Sequence, residues 1–195
     1  MGLLEKDTVS RVRAALVDGG FADTIVALTD TARSAEDAAA ALGCDLGAIV
    51  KTLVFAIDQR LVMALVAGDF RCLEQNLAAA LNLQGSVRRP QAAEVKGATG
   101  FSIGGVAPIG LLHPLPVVID RSLKRFDKLY AAAGHPHCVF ATTVADLKRL
   151  TGGIVSWNIA KANADGVAMA QFKRSKTFAQ QTAAEKNTTD NAEPA

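Results

Sequence analysis

The sequence predicts an α+β fold in which a mixed β-sheet is flanked by helices. Segments with helical periodicity alternate with short runs of apolar and β-branched residues, which indicates interleaved helices and strands. Several connections between the predicted strands are too short for helical crossovers, so some neighbouring strands must be antiparallel. Half of the 195 residues are hydrophobic, which is enough to build the core of one globular domain.

Two helices and a β-hairpin are predicted in the first part of the chain. Each helix shows apolar residues at helical spacing or a capping box, and each ends at glycine. The hairpin consists of two apolar runs around a short polar turn. These elements are helices over residues 9–17 and 34–43 and strands over Lys51–Ile57 and Leu61–Val66.

Three more helices and five short strands are predicted in the rest of the chain. Asp69 and Thr143 suit the N-cap of a helix, and Pro90 suits its first turn. Gly, Pro and Asp separate the strands. The helices cover residues 69–81, 90–97 and 143–152, and the strands cover Ser86–Arg88, Phe101–Ile103, Leu115–Ile119, Lys128–Ala132 and Cys138–Ala141.

Charge and composition exclude several classes of protein. A formal net charge of +2 is far from the strongly basic surface of histone-like proteins. Met1–Asp7 is acidic where a signal peptide is cationic, and the longest apolar run is interrupted at Asp58–Arg60, well short of the roughly 20 residues that span a bilayer. Cys44, Cys72 and Cys138 are too few and too widely spaced for a disulfide framework. We therefore expect a soluble cytoplasmic protein that does not enter a membrane.

The end of the chain differs in composition from the rest. From about Lys173 the sequence consists mainly of Lys, Gln, Thr, Asn, Glu and Ala, with almost nothing to bury. This composition is typical of disordered segments. We predict a single domain over residues 1–172 and a disordered polar tail over residues 173–195.

The densest glycine cluster, Gly100–Gly110, leaves the predicted strand Phe101–Ile103, enters a constrained turn and contains Pro108. Turns of this kind aim backbone N–H groups outward, where successive amides can bind an anion or a developing oxyanion. An ordinary glycine-rich turn is the alternative and the commoner case. The cluster is not a Walker A loop, because no Gly-Lys-Ser/Thr follows, and it is not a dinucleotide fingerprint, because no helix follows the glycines.

Lys51 is unusual because an ammonium group stands between apolar residues at the start of a predicted buried strand. Partial burial lowers the pKa of a lysine, and such a lysine can orient a carboxylate, carbonyl or phosphate inside a pocket. The alternative is a strand-end lysine whose ammonium group reaches water. The residue type and its position leave both interpretations open.

The segment His135–Cys138 contains side chains that can ligate zinc. A zinc site needs three or four ligands, and no Cys-x-x-Cys or His-Glu-x-x-His motif supplies the others. We predict no metal and no cofactor, and we interpret the segment as a proline-rigidified loop that could line a pocket. Catalysis by a Cys-His pair is disfavoured, because Val139–Ala141 predicts that Cys138 begins a buried strand.

Basic residues fall mainly in the second half of the chain and could face RNA. Aromatic residues make up only 5% of the chain and are not interleaved with them, so a stacking platform for bases is not supported. Ordinary solvated surface charge is the alternative. These residues are Arg88, Arg89, Lys96, Arg121, Lys124, Arg125, Lys128, Lys148 and Arg149.

Four segments together resemble the family of YbaK and the prolyl-tRNA-synthetase-associated (ProX-like) editing domains. They are Val50–Val54, the Gly104–Gly110 turn, Leu115–Asp120 and the strand that leads to Ala133-Gly134. Their order and spacing match over about residues 20–155. The resemblance implies a YbaK-like fold, which is a barrel-like mixed β-sheet flanked by helices.

The resemblance also implies an activity, namely metal-independent hydrolysis of the ester that joins a wrong amino acid to tRNA, most often the tRNA for proline. Aminoacyl-tRNA would be the substrate and prolyl-tRNA synthetase a candidate partner. Lys51 would anchor the terminal nucleotide or acyl group, and Gly104 would belong to the catalytic turn that holds the carbonyl. Water or a group of the substrate would attack. The implied substrate-binding residues are Thr52, Gly105, Val106, Pro108, Asp120, Gly134 and His135.

The sequence departs from YbaK at Ala133–His137, where YbaK itself has a shorter Gly-Lys-Arg-Gly-like turn. We therefore regard this loop as a candidate selector of the acyl group, and leave cysteine, alanine, serine and threonine open. A non-catalytic module of the same fold that binds tRNA or a synthetase is the main alternative function. A hydrolase of free esters is a third hypothesis.

Overall fold

A computed structural model describes residues 2–28 and 34–163 of the chain. The first compact unit ends at Lys161, and the site described below lies within it. The helices are α1 (Asp7–Asp18), α2 (Ala35–Leu42), α3 (Leu77–Ala80), α4 (Ala92–Thr99) and α5 (Val144–Thr151). The strands are β1 (Ile25–Ala27), β2 (Ile49–Ile57), β3 (Arg60–Ala67), β4 (Phe70–Cys72), β5 (Val87–Arg88), β6 (Val117–Asp120), β7 (Leu129–His135), β8 (Cys138–Thr142), β9 (Ile154–Ser156) and β10 (Ala160–Ala162).

Eight of these strands form one curled mixed sheet, which confirms the predicted fold class. Seven follow the order β1-β8-β7-β2-β3-β6-β9, and β5 pairs separately with β2. Strand β2 is antiparallel to β3 and parallel to β7, while β6 is parallel to both of its neighbours. Strands β4 and β10 form a second, two-stranded sheet.

Strand β3 lies between β2 and β6 in the large sheet and is buried on both faces. Alternate residues of a strand point to opposite faces, so each face receives every second side chain. Met63 and Leu65 pack into a core with α1 and α5, whereas Val62 and Val66 pack on the other side with Leu77 of α3. The uninterrupted apolar sequence of β3 reflects this double burial.

Most of the predicted elements are confirmed. Ser34 caps α2 in a reciprocal capping box with Asp37, and Thr143 accepts a hydrogen bond from the Asp146 N–H at the start of α5. The hairpin forms as β2 and β3. Cys138 begins β8 and is fully buried, as predicted.

The prediction that Asp69 caps a helix reaching Leu81 is wrong. The residues after Asp69 form β4, and in the fully described stretch from Asp69 to Leu81 the single turn of α3 is the only α-helix. The Asp69 carboxylate instead accepts two hydrogen bonds from Arg125, at 2.6 and 2.8 Å. A partner distant in sequence therefore overrides the local preference of aspartate for an N-cap.

The predicted strand over Phe101–Ile103 is also wrong. Phe101 is fully buried, but a turn follows immediately, in which the Gly105 N–H donates to the Ser102 carbonyl oxygen over 3.0 Å. The preceding helix α4 runs through Gly97, the predicted end, and stops at Gly100, where φ is +76°. A positive φ favours glycine, and this conformation ends the helix.

The predicted polar tail over residues 173–195 lies outside the described residues, and the domain boundary at residue 172 stays a prediction. Among residues 2–28 and 34–163, no helix combines the length and apolar composition that a membrane span requires.

Candidate active site

The candidate site lies along an open edge of strand β2. On this edge β7 pairs only with the first two residues of β2, and β5 pairs only with its last two. Within the described part of the chain, residues 51–55 therefore have no strand neighbour on this side. Pro90 cannot extend the hydrogen bonding between β5 and β2, because proline has no backbone N–H to donate.

The hydrogen-bonding pattern of the hairpin shows which backbone groups face this open edge. The Ile49 carbonyl oxygen accepts from the Gly68 N–H over 2.8 Å, on the side of β3. Backbone groups alternate in direction along a strand, so the odd-numbered residues of β2 face β3 and the even-numbered residues face the opposite edge. The N–H and C=O groups of Thr52 and Val54 thus point to the open edge, where an extended ligand could bind them.

A cavity of about 440 Å³ borders this edge. Seven consecutive residues of β2, Ile49–Phe55, line it, which is possible because the missing neighbour leaves both faces of the strand accessible from the side. The other walls come from α2, residues 89–95, the turn at Ile103–Gly104, and β7 and β8. Most of the lining is apolar, and its polar side chains are Ser34, Lys51, Thr52, Arg89 and Tyr130.

Lys51 is held by main-chain carbonyl groups at one end of the cavity. Its ammonium nitrogen donates to the Gly68 carbonyl oxygen over 3.0 Å and to the Phe70 carbonyl oxygen. An ammonium group has three N–H donors, so one is left for a ligand. Burial lowers the pKa of Lys51, and the carboxylates of Glu36 and Asp69 oppose this effect.

An ion pair fixes the segment that holds Lys51. Arg125 grips the Asp69 carboxylate through both of its terminal nitrogens, and its guanidinium lies 4.6 Å from the centre of the Phe70 ring. Bidentate pairs of this kind define geometry better than a single hydrogen bond. The pair therefore holds in place the two carbonyl groups that orient Lys51.

Thr52 contributes a side chain that lacks a partner. Its hydroxyl oxygen is buried and makes no hydrogen bond to any described residue, although Thr52 lines the cavity. A buried hydroxyl without a partner costs free energy, which a ligand that bonds to it would recover.

The turn opposite β2 supplies further backbone donors. Gly104 lies on its tip with φ at +92°, a conformation that few residues other than glycine adopt, and it lines the cavity together with Val106. No described residue accepts a hydrogen bond from the Gly104 or Val106 N–H. The Gly105 N–H, by contrast, is occupied by Ser102, so the predicted row of outward amides is interrupted at Gly105.

The structure brings four of the predicted site residues together, since Lys51, Thr52, Gly104 and Val106 all line the main cavity. A neighbouring cavity is lined in part by Gly105, Gly134 and His135. The His135 ring lies there 3.3 Å from the Lys6 ammonium nitrogen, and burial, followed by the charge of Lys6, lowers its pKa.

The loop at His135–His137 therefore has two sides. Its residue Pro136 lines both cavities, whereas the His135 side chain belongs to the second cavity alone. A β-carbon on Gly105 would meet the His135 backbone at 2.9 Å, so glycine allows the turn and the loop to pack closely. Pro108 is buried and lines neither cavity.

Asp120 is buried, and its carboxylate is hydrogen-bonded within the protein. Its carboxylate accepts hydrogen bonds from the Ser122 N–H, at 3.2 Å, and from the Ser122 hydroxyl, and it lines neither cavity. Burial raises its pKa, and these hydrogen bonds oppose the effect. Asp120 thus caps the 3-10 helix Arg121–Arg125, the last residue of which is the partner of Asp69.

Three polar residues of the main cavity were not predicted as site residues, namely Ser34, Arg89 and Tyr130. The sequence around Ser34 predicted only a helix cap. Arg89 was predicted only as one of the basic residues that could face RNA or be ordinary surface charge. Tyr130 lies in β7, which pairs with the first two residues of β2. No sequence pattern marks the convergence of these residues, because it depends on the sheet order.

The candidate site combines a desolvated cation, unpaired backbone donors and a mostly apolar cavity. The described residues contain no group of three or more His, Cys, Asp and Glu side chains that could hold a metal ion. Residues 29–150 match the aminoacyl-tRNA editing domain family. The chain belongs to this family.

Individual proteins and a solved structure are also similar to the chain. A Bacillus subtilis protein, the uncharacterized protein YwhH, is 31% identical over 117 residues, which cover 60% of this chain and 73% of that one. The proline–tRNA ligase of Solidesulfovibrio magneticus is 36% identical over 88 residues, which cover 45% of this chain but only 15% of the ligase. A crystal structure of a proposed trans-editing enzyme for prolyl tRNA synthetase shares 34% identity and a TM-score of 0.75, covering 81% of this chain and 99% of that one.

Proposed function

We propose that this editing domain is a free-standing deacylase that hydrolyses the ester of mischarged aminoacyl-tRNA. The observation that carries the proposal is the Lys51 ammonium group, which retains one unused N–H beside an open strand edge in a mostly apolar cavity. A site of this kind offers fixed donors to an uncharged ester and excludes much of the surrounding water. Membership of the aminoacyl-tRNA editing domain family supports aminoacyl-tRNA as the substrate class.

In the proposed complex, Lys51 anchors the terminal nucleotide or the acyl group through its remaining N–H. The backbone of Thr52 and Val54 and the Thr52 hydroxyl bind the aminoacyl end along the open edge. Gly104 and Val106 face them across the cavity, and their N–H groups stabilise the oxyanion that develops on the ester carbonyl. Preorganised donors of this kind act on the transition state more than on the ground state.

The attacking group is water, which a neighbouring hydroxyl of the terminal ribose would position; the bond between the acyl carbon and the ribose oxygen breaks, the amino acid leaves as a carboxylic acid, and the ribose oxygen takes up a proton. Among the described residues, the lining of the main cavity includes neither cysteine nor histidine, so it offers no Cys-His or Ser-His pair. An aminoacyl ester is already activated, so positioning and oxyanion stabilisation supply most of the acceleration. We propose that no metal takes part, and the rate should then be unchanged by EDTA.

The proposed substrate is the tRNA for proline carrying a small amino acid such as cysteine, alanine, serine or threonine. Similarity to a proline–tRNA ligase and to a proposed trans-editing enzyme supports this tRNA. Ala132, Pro136 and Val139 form an apolar wall that would sort acyl groups by size. Size sorting at a second site is needed because the aminoacylation pocket of a synthetase rejects smaller side chains only weakly.

The test is a deacylation panel with tRNA for proline charged in turn with cysteine, alanine, serine, threonine and proline. The purified protein should release at least one of the four non-cognate amino acids, and Lys51→Met should lose most of that activity. Lys96→Met is the matched control, because Lys96 is exposed and lines none of the described cavities. Binding of the RNA without release of any amino acid would favour a non-catalytic module instead.

A further inference from the structure

A second groove continues from the candidate site on the far side of Lys51. Its volume is about 880 Å³, and it shares Lys51, Leu53 and Arg89 with the lining of the main cavity. Strand β4, the segment that follows it and Lys161 of β10 form much of the other wall. A ligand held at Lys51 could therefore extend from one cavity into the other.

The groove is basic, and two of its cations lack partners. Arg71 and Lys161 are the middle residues of the paired strands β4 and β10, and each is the exposed residue of its strand. Neither forms an ion pair or a hydrogen bond with a described residue. Like charges on neighbouring strands repel each other, so their placement in one groove favours a bound anion.

Arg89 connects this basic pair with the main cavity. It forms an ion pair of 2.5 Å with Glu74, which is the one acidic residue among the described residues of the groove lining, but its side chain remains 78% exposed. An exposed ion pair is worth little, so Arg89 can exchange this carboxylate for another anion at small cost. Three cations thus follow one path away from Lys51.

We propose that this groove, defined by Arg71, Arg89 and Lys161, binds the phosphodiester backbone of the substrate's unpaired 3′ end. The inference rests on the proposed function, because it places the terminal aminoacyl nucleoside in the main cavity. The phosphates that precede this nucleoside can then pass Lys51 and Arg89 into the groove, because both residues line the two cavities. Guanidinium and ammonium groups suit these oxygens, since cations supply most of the affinity for a nucleic-acid backbone.

A binding experiment tests the groove independently of catalysis. The probe is a short single-stranded RNA oligonucleotide ending in CCA, labelled at its 5′ end and followed by fluorescence anisotropy. Arg71→Ala combined with Lys161→Ala should weaken binding roughly tenfold and reduce the slope of log affinity against log salt by about 1.4, or about 0.7 for each phosphate that is no longer neutralised. Lys96→Ala combined with Lys148→Ala removes the same charge outside the described cavities and should leave both quantities near the wild-type values. Equal affinity and equal slope in the two double variants would overturn the proposal.

A kinetic experiment separates the groove from the active site. With the tRNA for proline that carries alanine as substrate, kcat/KM of the double variant Arg71→Ala and Lys161→Ala should be roughly tenfold lower than that of the wild type, mainly because KM rises. For the alanyl ester of adenosine, which lacks phosphates, kcat/KM should equal that of the wild type. An equal loss on both substrates would mean a structural defect and would contradict the groove. Failure of the wild-type protein to hydrolyse any mischarged tRNA or adenosine ester would sink the proposed function, and the oligonucleotide measurement would still decide the groove.

Discussion

Lys51 and Asp120 are both ionisable side chains held within the sheet, but their surroundings differ. Lys51 uses two of its three N–H donors on carbonyl groups and borders a cavity. Asp120 accepts two hydrogen bonds from Ser122 and borders neither the main cavity nor the one beside it. A buried charge therefore marks a ligand site only where it keeps an unused donor or acceptor and a cavity reaches it.

The largest effect that this comparison predicts is the loss of activity in Lys51→Met. We expect kcat/KM for the best mischarged tRNA to fall by about two orders of magnitude, as for loss of a group that positions the reacting ester. The free energy of unfolding should change by less than about 2 kcal/mol, because removing a desolvated cation offsets the loss of donors to two carbonyls. Steady-state kinetics and urea unfolding measure the two quantities. A large loss of stability with unchanged activity would reverse the roles assigned to Lys51 and Asp120.

Asp120→Ala should give the opposite pattern. It leaves the backbone N–H group of Ser122, at the start of the 3-10 helix, without its acceptor, so the free energy of unfolding should fall by about 1–3 kcal/mol. Activity per folded molecule should stay within about twofold of the wild type, as is usual for a group outside the transition state. Urea unfolding, together with kinetics at a temperature where the variant is folded, checks this. A selective loss of kcat/KM would return Asp120 to the substrate-binding residues.

Arg125→Ala tests whether Lys51 depends on the ion pair behind it. Loss of the ion pair with Asp69 should make the carbonyl groups of Gly68 and Phe70 less well ordered and lower kcat/KM by about three- to tenfold. The effect is indirect, because Arg125 itself does not contact the substrate. In a Lys51→Met background the same substitution should have no further effect on activity, because its effect passes through Lys51. Additive losses in this double-mutant cycle would argue against the positioning role.

The smallest predicted effect is a pH dependence of stability that comes from Lys51. Burial lowers its pKa in the folded state below the ordinary value of 10.5, so the folded protein binds this proton less well than the unfolded chain. The ammonium group therefore costs stability at pH values below the folded pKa, and this cost disappears as the pH rises through that pKa towards 10.5. The stability of the wild type relative to Lys51→Met should increase over this alkaline range. A relative decrease would mean that the carbonyl groups and carboxylates raise the pKa more than burial lowers it.

The elements that the sequence predicted well are those with local determinants. Ser34 and Thr143 start their helices by bonding to residues three positions later, and the β2–β3 hairpin follows from two adjacent apolar runs. Asp69 has an equally good local signal, but Arg125 lies 56 residues away and decides its role. Local chemistry is therefore a reliable guide only where no distant partner competes.

The candidate site was predictable in part for the same reason. Lys51 and Gly104 stand out by residue type within their segments, and both line the main cavity. The open edge of β2 depends on where β7 and β5 stop pairing, which no segment reveals alone. The occupied Gly105 N–H and the displacement of His135 into a second cavity likewise follow from how the turn packs against the loop.

The central claim is that the aminoacyl end of the substrate lies along the open edge of β2. The most direct test is NMR hydrogen exchange of backbone amides with and without an adenosine analogue that carries alanine through a stable 3′ amide. The account predicts slower exchange at Thr52 and Val54 on the open edge and at Gly104 and Val106 across the cavity, while Gly105 keeps its rate. Binding of the analogue with unchanged exchange at Thr52 and Val54 would contradict the account.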